Sequence, residues 1–98
     1  MPGVFAIALV RFKDDIEAYK RYFAAFPEVF EGSGGTVVAV SDQPKQIAGK
    51  GGGVDKIVVL RFDDEQAATS FFESPEYQRI AVDRDAGAEV TGFLVNEL

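Results

Sequence analysis

Arg84 follows Ile80 by one helical turn and Tyr77 by two, so on a helix these side chains share a face, and the guanidinium is aimed at whatever that face covers. In that position it either holds an anionic or carbonyl group of a ligand or makes a structural ion pair with one of the chain's many carboxylates. Tyr19, Tyr22 and Tyr77 are the other chemistry-bearing side chains. A phenol packs through its ring and donates at its polar end, which suits orienting a ligand or steadying an enolate, and equally suits a plain place in core or rim. Arg84, Tyr77 and Tyr19 are the candidate ligand-binding residues. The 98 residues contain no His and no Cys. That removes imidazole bases, thiolate nucleophiles, disulfides and the commonest zinc, copper, iron and haem ligand sets, so no metal and no cofactor is expected.

Three other patterns carry less. Gly49-Lys50-Gly51-Gly52-Gly53 has the composition of an anion-cradling loop. It lacks the Gly, four residues, Gly-Lys-Ser/Thr spacing, and it precedes a strand where a phosphate loop must precede a helix, so it reads as an inter-strand loop. The pairs Asp14-Asp15 and Asp63-Asp64 stand at helix starts, where the macrodipole favours carboxylates, and read as caps. Arg11 and Arg61 lie one residue from Phe12 and Phe62 and so project to the opposite face, as interface or rim ion pairs. Arg79 and Asp83 have the spacing of an i,i+4 pair.

A formal charge of −6, from ten Lys and Arg against sixteen Asp and Glu, repels phosphate backbones, so no nucleic-acid partner is expected. Met1-Pro2-Gly3 leads straight into an apolar run without a basic leader region, and no run approaches the roughly 20 residues of a membrane span. The expectation is a cytoplasmic protein with no membrane partner.

The elements that must position these residues follow from periodicity. Val4 to Val10 and Ile57 to Leu60 are continuously apolar, the pattern of strands covered on both faces. Each run ends in a related hexapeptide, Val10-Arg11-Phe12-Lys13-Asp14-Asp15 and Leu60-Arg61-Phe62-Asp63-Asp64-Glu65, so the chain reads as two βαβ halves. Ile16, Tyr19, Phe23, Phe26 and Phe30 mark one face of a helix, with a kink expected at Pro27 and a second helical piece beginning there. Thr36 to Ser41 is a β-branched strand, and Asp42 to Asp55 is a loop. Asp63 and Gln66 have the spacing of a capping box, and Ala67, Ala68, Phe71 and Phe72 form the next helical face. Ser74-Pro75 restarts the helix as cap and first residue, Gly87 stops it, and Val90 to Val95 is the last strand.

The order β-α-β-β-α-β predicts an α+β fold, the split βαβ, ferredoxin-like sandwich, as one domain over residues 1–98 with the two most apolar strands central. A chain of this length buries only about 60 to 65% of its unfolded surface. With 47% apolar residues and nine Phe it has more large side chains than so thin a core hides. One sheet face carries the helices, and the other is expected to be covered by a second copy, making a homodimer.

Phe71-Phe72-Glu73-Ser74-Pro75-Glu76-Tyr77-Gln78, placed after Ile57-Val58-Val59-Leu60-Arg61-Phe62, resembles the late segment of the DUF1330 family in the dimeric α+β barrel superfamily. The resemblance extends over nearly the whole chain. Ala18-Tyr19-Lys20 with Tyr22, Gly34-Gly35, Gly49 and Arg84 match the family pattern in turn. In the middle loop, where relatives often carry an acidic residue and a tryptophan, this chain has Lys50-Gly51-Gly52-Gly53. The resemblance implies a ferredoxin-like homodimer and no particular reaction. The leading expectation is a dimer binding a small organic molecule between helices and sheet. The alternatives are a cofactor-independent oxygenase or isomerase, by analogy with other dimeric α+β barrels, and a purely structural or regulatory dimer. A buried Arg84 facing an empty cavity favours the first two, and a tightly paired Arg84 without a cavity favours the third.

Overall fold

The two continuously apolar runs lie side by side at the centre of a four-stranded sheet in a computed structural model that describes residues 2–98. The elements are β1 (Val4–Phe12), α1 (Ile16–Phe30), β2 (Thr36–Ser41), β3 (Lys56–Phe62), α2 (Glu65–Glu73), α3 (Pro75–Gly87) and β4 (Ala88–Asn96). Strand order is β2-β3-β1-β4, and all three ladders are antiparallel. This is the ferredoxin-like α+β arrangement expected from the pattern of apolar segments.

Alternation along each strand divides the sheet into two faces. Val4, Ala6, Ala8, Val10 and Phe12 of β1, with Val58, Leu60 and Phe62 of β3, meet the helices. Phe62 and Val10 are the large side chains most completely buried. Phe30 of α1 stands edge-on to Phe62 at 5.9 Å and to Phe71 of α2 at 5.3 Å, tying both helices to β3 through rings. The opposite face carries Phe5, Ile7, Leu9, Ile57 and Val59, all half-buried, beside Phe93 and Val95 of β4, which are 54% and 39% exposed. The register places Ile7 opposite Phe93 and Phe5 opposite Val95, so this apolar surface is continuous across strands.

Local detail departs from expectation in several places. α1 continues through Pro27 to Phe30 as one helix, with no second piece. Pro27 sits in the last turn, where its ring removes one hydrogen bond, while its carbonyl still accepts from Glu31 N at 3.0 Å. Phe26 and Phe30 stack at 5.0 Å across the position. The buried face of α1 is Ala18, Tyr19, Tyr22, Phe26 and Phe30, with Ile16 exposed and Phe23 half-buried. The stripe is turned toward α3, which packs along α1 as the sheet does. Asp15 caps α1 by accepting from Ala18 N. The cap of α2 is Asp64, which accepts from Ala67 N at 2.7 Å, in place of the Asp63 and Gln66 box. Ser74 and Pro75 behave as expected, with Ser74 Oγ accepting from Tyr77 N at 3.2 Å.

Gly87 is the last residue of α3, and β4 begins at the next residue. A Cβ there would run into the backbone of Tyr19 and Asp15, so this glycine is required by the close approach of α3 to α1. Asp83 pairs with Arg21 of α1 at 3.3 Å, in place of Arg79 on its own helix. Arg61, on the face away from the helices, pairs with Glu97 at 3.0 Å and Asp63 at 3.5 Å, whereas Arg11 is in register with Glu89 of β4.

Candidate functional site

Short side chains in the middle of the sheet leave space under the helices. Ala6 and Ala8 of β1 and Gly92 of β4 face α1 and α3, and Gly92 lies opposite Ala8 in the ladder. A Cβ at Gly92 would meet nothing nearer than Ile7 O at 3.9 Å. The result is a cavity of about 400 Å³ with a floor of Ala6, Ala8, Val10, Val58, Leu60 and Gly92, and with Ile7, Val90, Phe93 and Leu94 of β1 and β4 also at its lining. Its walls are Tyr19, Tyr22, Phe23 and Phe26 of α1, Phe72 of α2, and Tyr77, Gln78 and Arg84 of α3. This is within the roughly 300 to 1,000 Å³ of sites that take small organic molecules, and the mostly apolar lining with a few convergent polar groups is their usual composition.

The polar groups form a connected chain. Arg84 Nη1 donates to the Tyr77 hydroxyl at 2.9 Å, and the Tyr77 and Tyr22 hydroxyls lie 2.9 Å apart. Behind it, Arg84 Nε and Nη2 donate to Asp85 at 2.9 and 3.2 Å, and this carboxylate is largely exposed. Burial of the Arg84 guanidinium would by itself favour losing its proton. The hydrogen bonds to Asp85 and Tyr77 outweigh that and push its pKa up, so Arg84 is a fixed cation. Burial raises the Tyr19 hydroxyl to about 12, with Tyr77 and Asp42 adding to the effect. Burial, reinforced by Tyr77, drives Tyr22 up further. Both are neutral phenols at any physiological pH.

The three residues expected from sequence to bind ligand, Tyr19, Tyr77 and Arg84, thus line one cavity, and Tyr22 joins them. Arg84 combines both situations that its sequence position allows, being paired to a carboxylate and also facing open space. One residue escaped sequence reading altogether. Lys56 is 6% exposed, with Nζ 3.5 Å from the centre of the Phe23 ring and 3.1 Å from Asp42 at the start of the β2–β3 loop. The available signal was its two-residue spacing from Val58 and Leu60, which puts it on their face. Among the described residues no group of three or more carboxylates is placed to hold a metal ion, and no helix is long and apolar enough to cross a membrane.

Fold and cavity together define a ferredoxin-like α+β protein with a pocket between helices and sheet. The chain belongs to the family described as a domain of unknown function, DUF1330, whose profile matches residues 3–98. Among solved structures, a protein of unknown function from Rhodopseudomonas palustris is 21% identical, with a TM-score of 0.79 over 99% of this chain and 83% of that one. SnoaB, a cofactor-independent oxygenase from Streptomyces nogalater, is 12% identical with a TM-score of 0.72, covering 100% of this chain and 95% of its own. A dimeric ferredoxin-like protein of unknown function from Thermobifida fusca is 16% identical with a TM-score of 0.72, over 98% and 92% of the two chains. Identities this low speak for the fold alone. No curated protein matches the chain.

Proposed function

We propose that this protein is a homodimer that binds a small, largely apolar organic molecule in the cavity between α1, α3 and the sheet, with Arg84, Tyr77 and Tyr19 at its polar end. The carrying observation is the cavity itself. About 400 Å³ is left open beneath a ring-lined wall, where a domain whose interior served stability alone would be filled by its own side chains. The dimer reading rests on the continuous apolar face formed by Phe5, Ile7, Leu9, Ile57, Val59, Phe93 and Val95, and on the description of ferredoxin-like neighbours as dimeric. The relatedness in fold to SnoaB keeps a cofactor-independent oxygenase or isomerase as the alternative. Such chemistry needs a base for the substrate proton, and Tyr19 and Tyr22 are held in the wrong protonation state for it.

Native mass spectrometry with 2-naphthylmethanol, a two-ring compound of suitable size, tests both parts of the reading. The expected species is a dimer that takes up one molecule per chain. A monomer at micromolar concentration contradicts the dimer, and a dimer that takes up neither this probe nor its carboxylate analogue 2-naphthoate at millimolar concentration contradicts the binding.

A further inference from the structure

The polar end of the cavity has more hydrogens to give than acceptors to receive them. Arg84 uses one hydrogen of Nη1 on Tyr77 and one of Nη2 on Asp85, and each of these nitrogens carries another that no described residue accepts. The hydroxyls of Tyr77 and Tyr22 share one contact, so whichever of them donates, the other keeps an O–H unspent. Tyr19 lines the cavity and has no hydrogen-bond partner among the described residues, yet no buried polar side-chain atom is left unsatisfied, so its oxygen meets open space. No Asp or Glu is among the lining residues. The Arg84 charge is balanced only from behind, by a carboxylate in contact with solvent.

We infer that the cavity selects a flat aromatic or alicyclic monocarboxylate, its carboxylate taken by the spare hydrogens of Arg84 and the tyrosine hydroxyls and its ring laid over Ala8 and Val10. A carboxylate only accepts hydrogen bonds, offers several lone pairs, and gains from a charged donor, whereas an alcohol or amide of the same shape brings hydrogens for which this end of the site has little use. A dianion is disfavoured because one cation faces the cavity. Phenols held neutral by burial remain donors throughout the physiological range. This inference rests on the small-molecule reading above and narrows it to one ligand class.

The chain has three Tyr and no Trp, and all three Tyr line the cavity, so quenching of intrinsic tyrosine fluorescence reports its occupancy. Titrations with 2-naphthoate and with 2-naphthylmethanol, equal in ring and different in charge, separate the two readings. The carboxylate is expected to bind at least about 10-fold more tightly. Arg84→Gln should abolish that preference. Tyr19→Phe removes a hydroxyl with no protein partner, so it should weaken naphthoate binding by about 3- to 10-fold while leaving the thermal unfolding midpoint in place. It serves as the decisive variant if Arg84→Gln does not fold. Equal, saturable binding of both probes, or a preference undiminished in the variants, overturns the carboxylate assignment and leaves the cavity reading standing. No saturable quenching by either probe overturns both.

Discussion

Tyr19 is legible in the sequence as a core-facing tyrosine of a helix and Tyr22 as a tyrosine beside that stripe, but nothing in the sequence shows that their hydroxyls sit beside an open space with Arg84 and Tyr77. That depends on the angle between α1 and α3, set by Gly87 against the backbone of α1, and on the short residues Ala8 and Gly92 meeting across β1 and β4. Tyr22 falls between the stripe positions Tyr19 and Phe23 and is buried only because α3 covers that side of the helix. These two phenols make the fold sensitive to alkali. A group whose folded pKa is raised contributes stability that is complete below its unfolded value, here 10.0, and is lost as pH rises toward the folded one, about 12 for Tyr19. Tyrosinate absorbance should therefore rise together with loss of circular dichroism above about pH 10, and Tyr22→Phe should move unfolding to higher pH. An absorbance rise from more than one tyrosine per chain at normal phenol pH in a folded protein would show that Tyr19 and Tyr22 are not both enclosed. At the acid end, hydrogen bonds from Arg61 and then from Gly3 N hold Glu97 below its ordinary 4.5. Its contribution is present above that pH and fades as pH falls further, so Glu97→Gln should flatten the acid limb of a stability–pH curve.

The elements themselves were mostly legible because their signals are local. Continuous apolar runs put β1 and β3 at the centre, and Ser74-Pro75 marked the restart of the helix through one cap and one ring. Pro27 does not end α1 because proline is a breaker only where its missing hydrogen bond and ring cannot be tolerated, and stacking of Phe26 on Phe30 holds the last turn in place. The choice between Asp63 and Asp64 as cap was beyond spacing alone, since adjacent carboxylates both suit a helix start. Lys56 was hidden because a lysine opening an apolar strand reads as its solvated end, and only Phe23 above it and Asp42 beside it allow its burial. Two substitutions test this level by thermal or denaturant unfolding. Gly87→Ala forces a methyl into the backbone of α1 and should cost about 1 to 3 kcal/mol by separating α1 from α3. Ser74→Ala removes the oxygen that accepts from Tyr77 N and should cost about 1 kcal/mol. A Gly87→Ala variant as stable as the parent would mean the two helices are farther apart than described.

In the whole molecule, three helices cover one face of the sheet and leave the other to the apolar side chains of β1, β3 and β4, beside the Arg61 and Glu97 ion pair. Ile7→Asp would place a carboxylate in the middle of that face, where burial without a partner costs several kcal/mol. Sedimentation velocity should show this variant as a folded monomer beside a dimeric parent, and a dimeric Ile7→Asp protein would place the interface elsewhere. The cavity opens on the helix side, and Ile7 and Phe93 of the opposite surface also reach its lining. The most direct measurement is calorimetric titration of 2-naphthoate into the parent and into Ala8→Phe, whose ring would occupy the floor beside Gly92. One site per chain is expected in the parent, and an affinity at least about 10-fold weaker in a folded Ala8→Phe protein. Equal binding by the two proteins, or none by the parent, would contradict binding in this cavity.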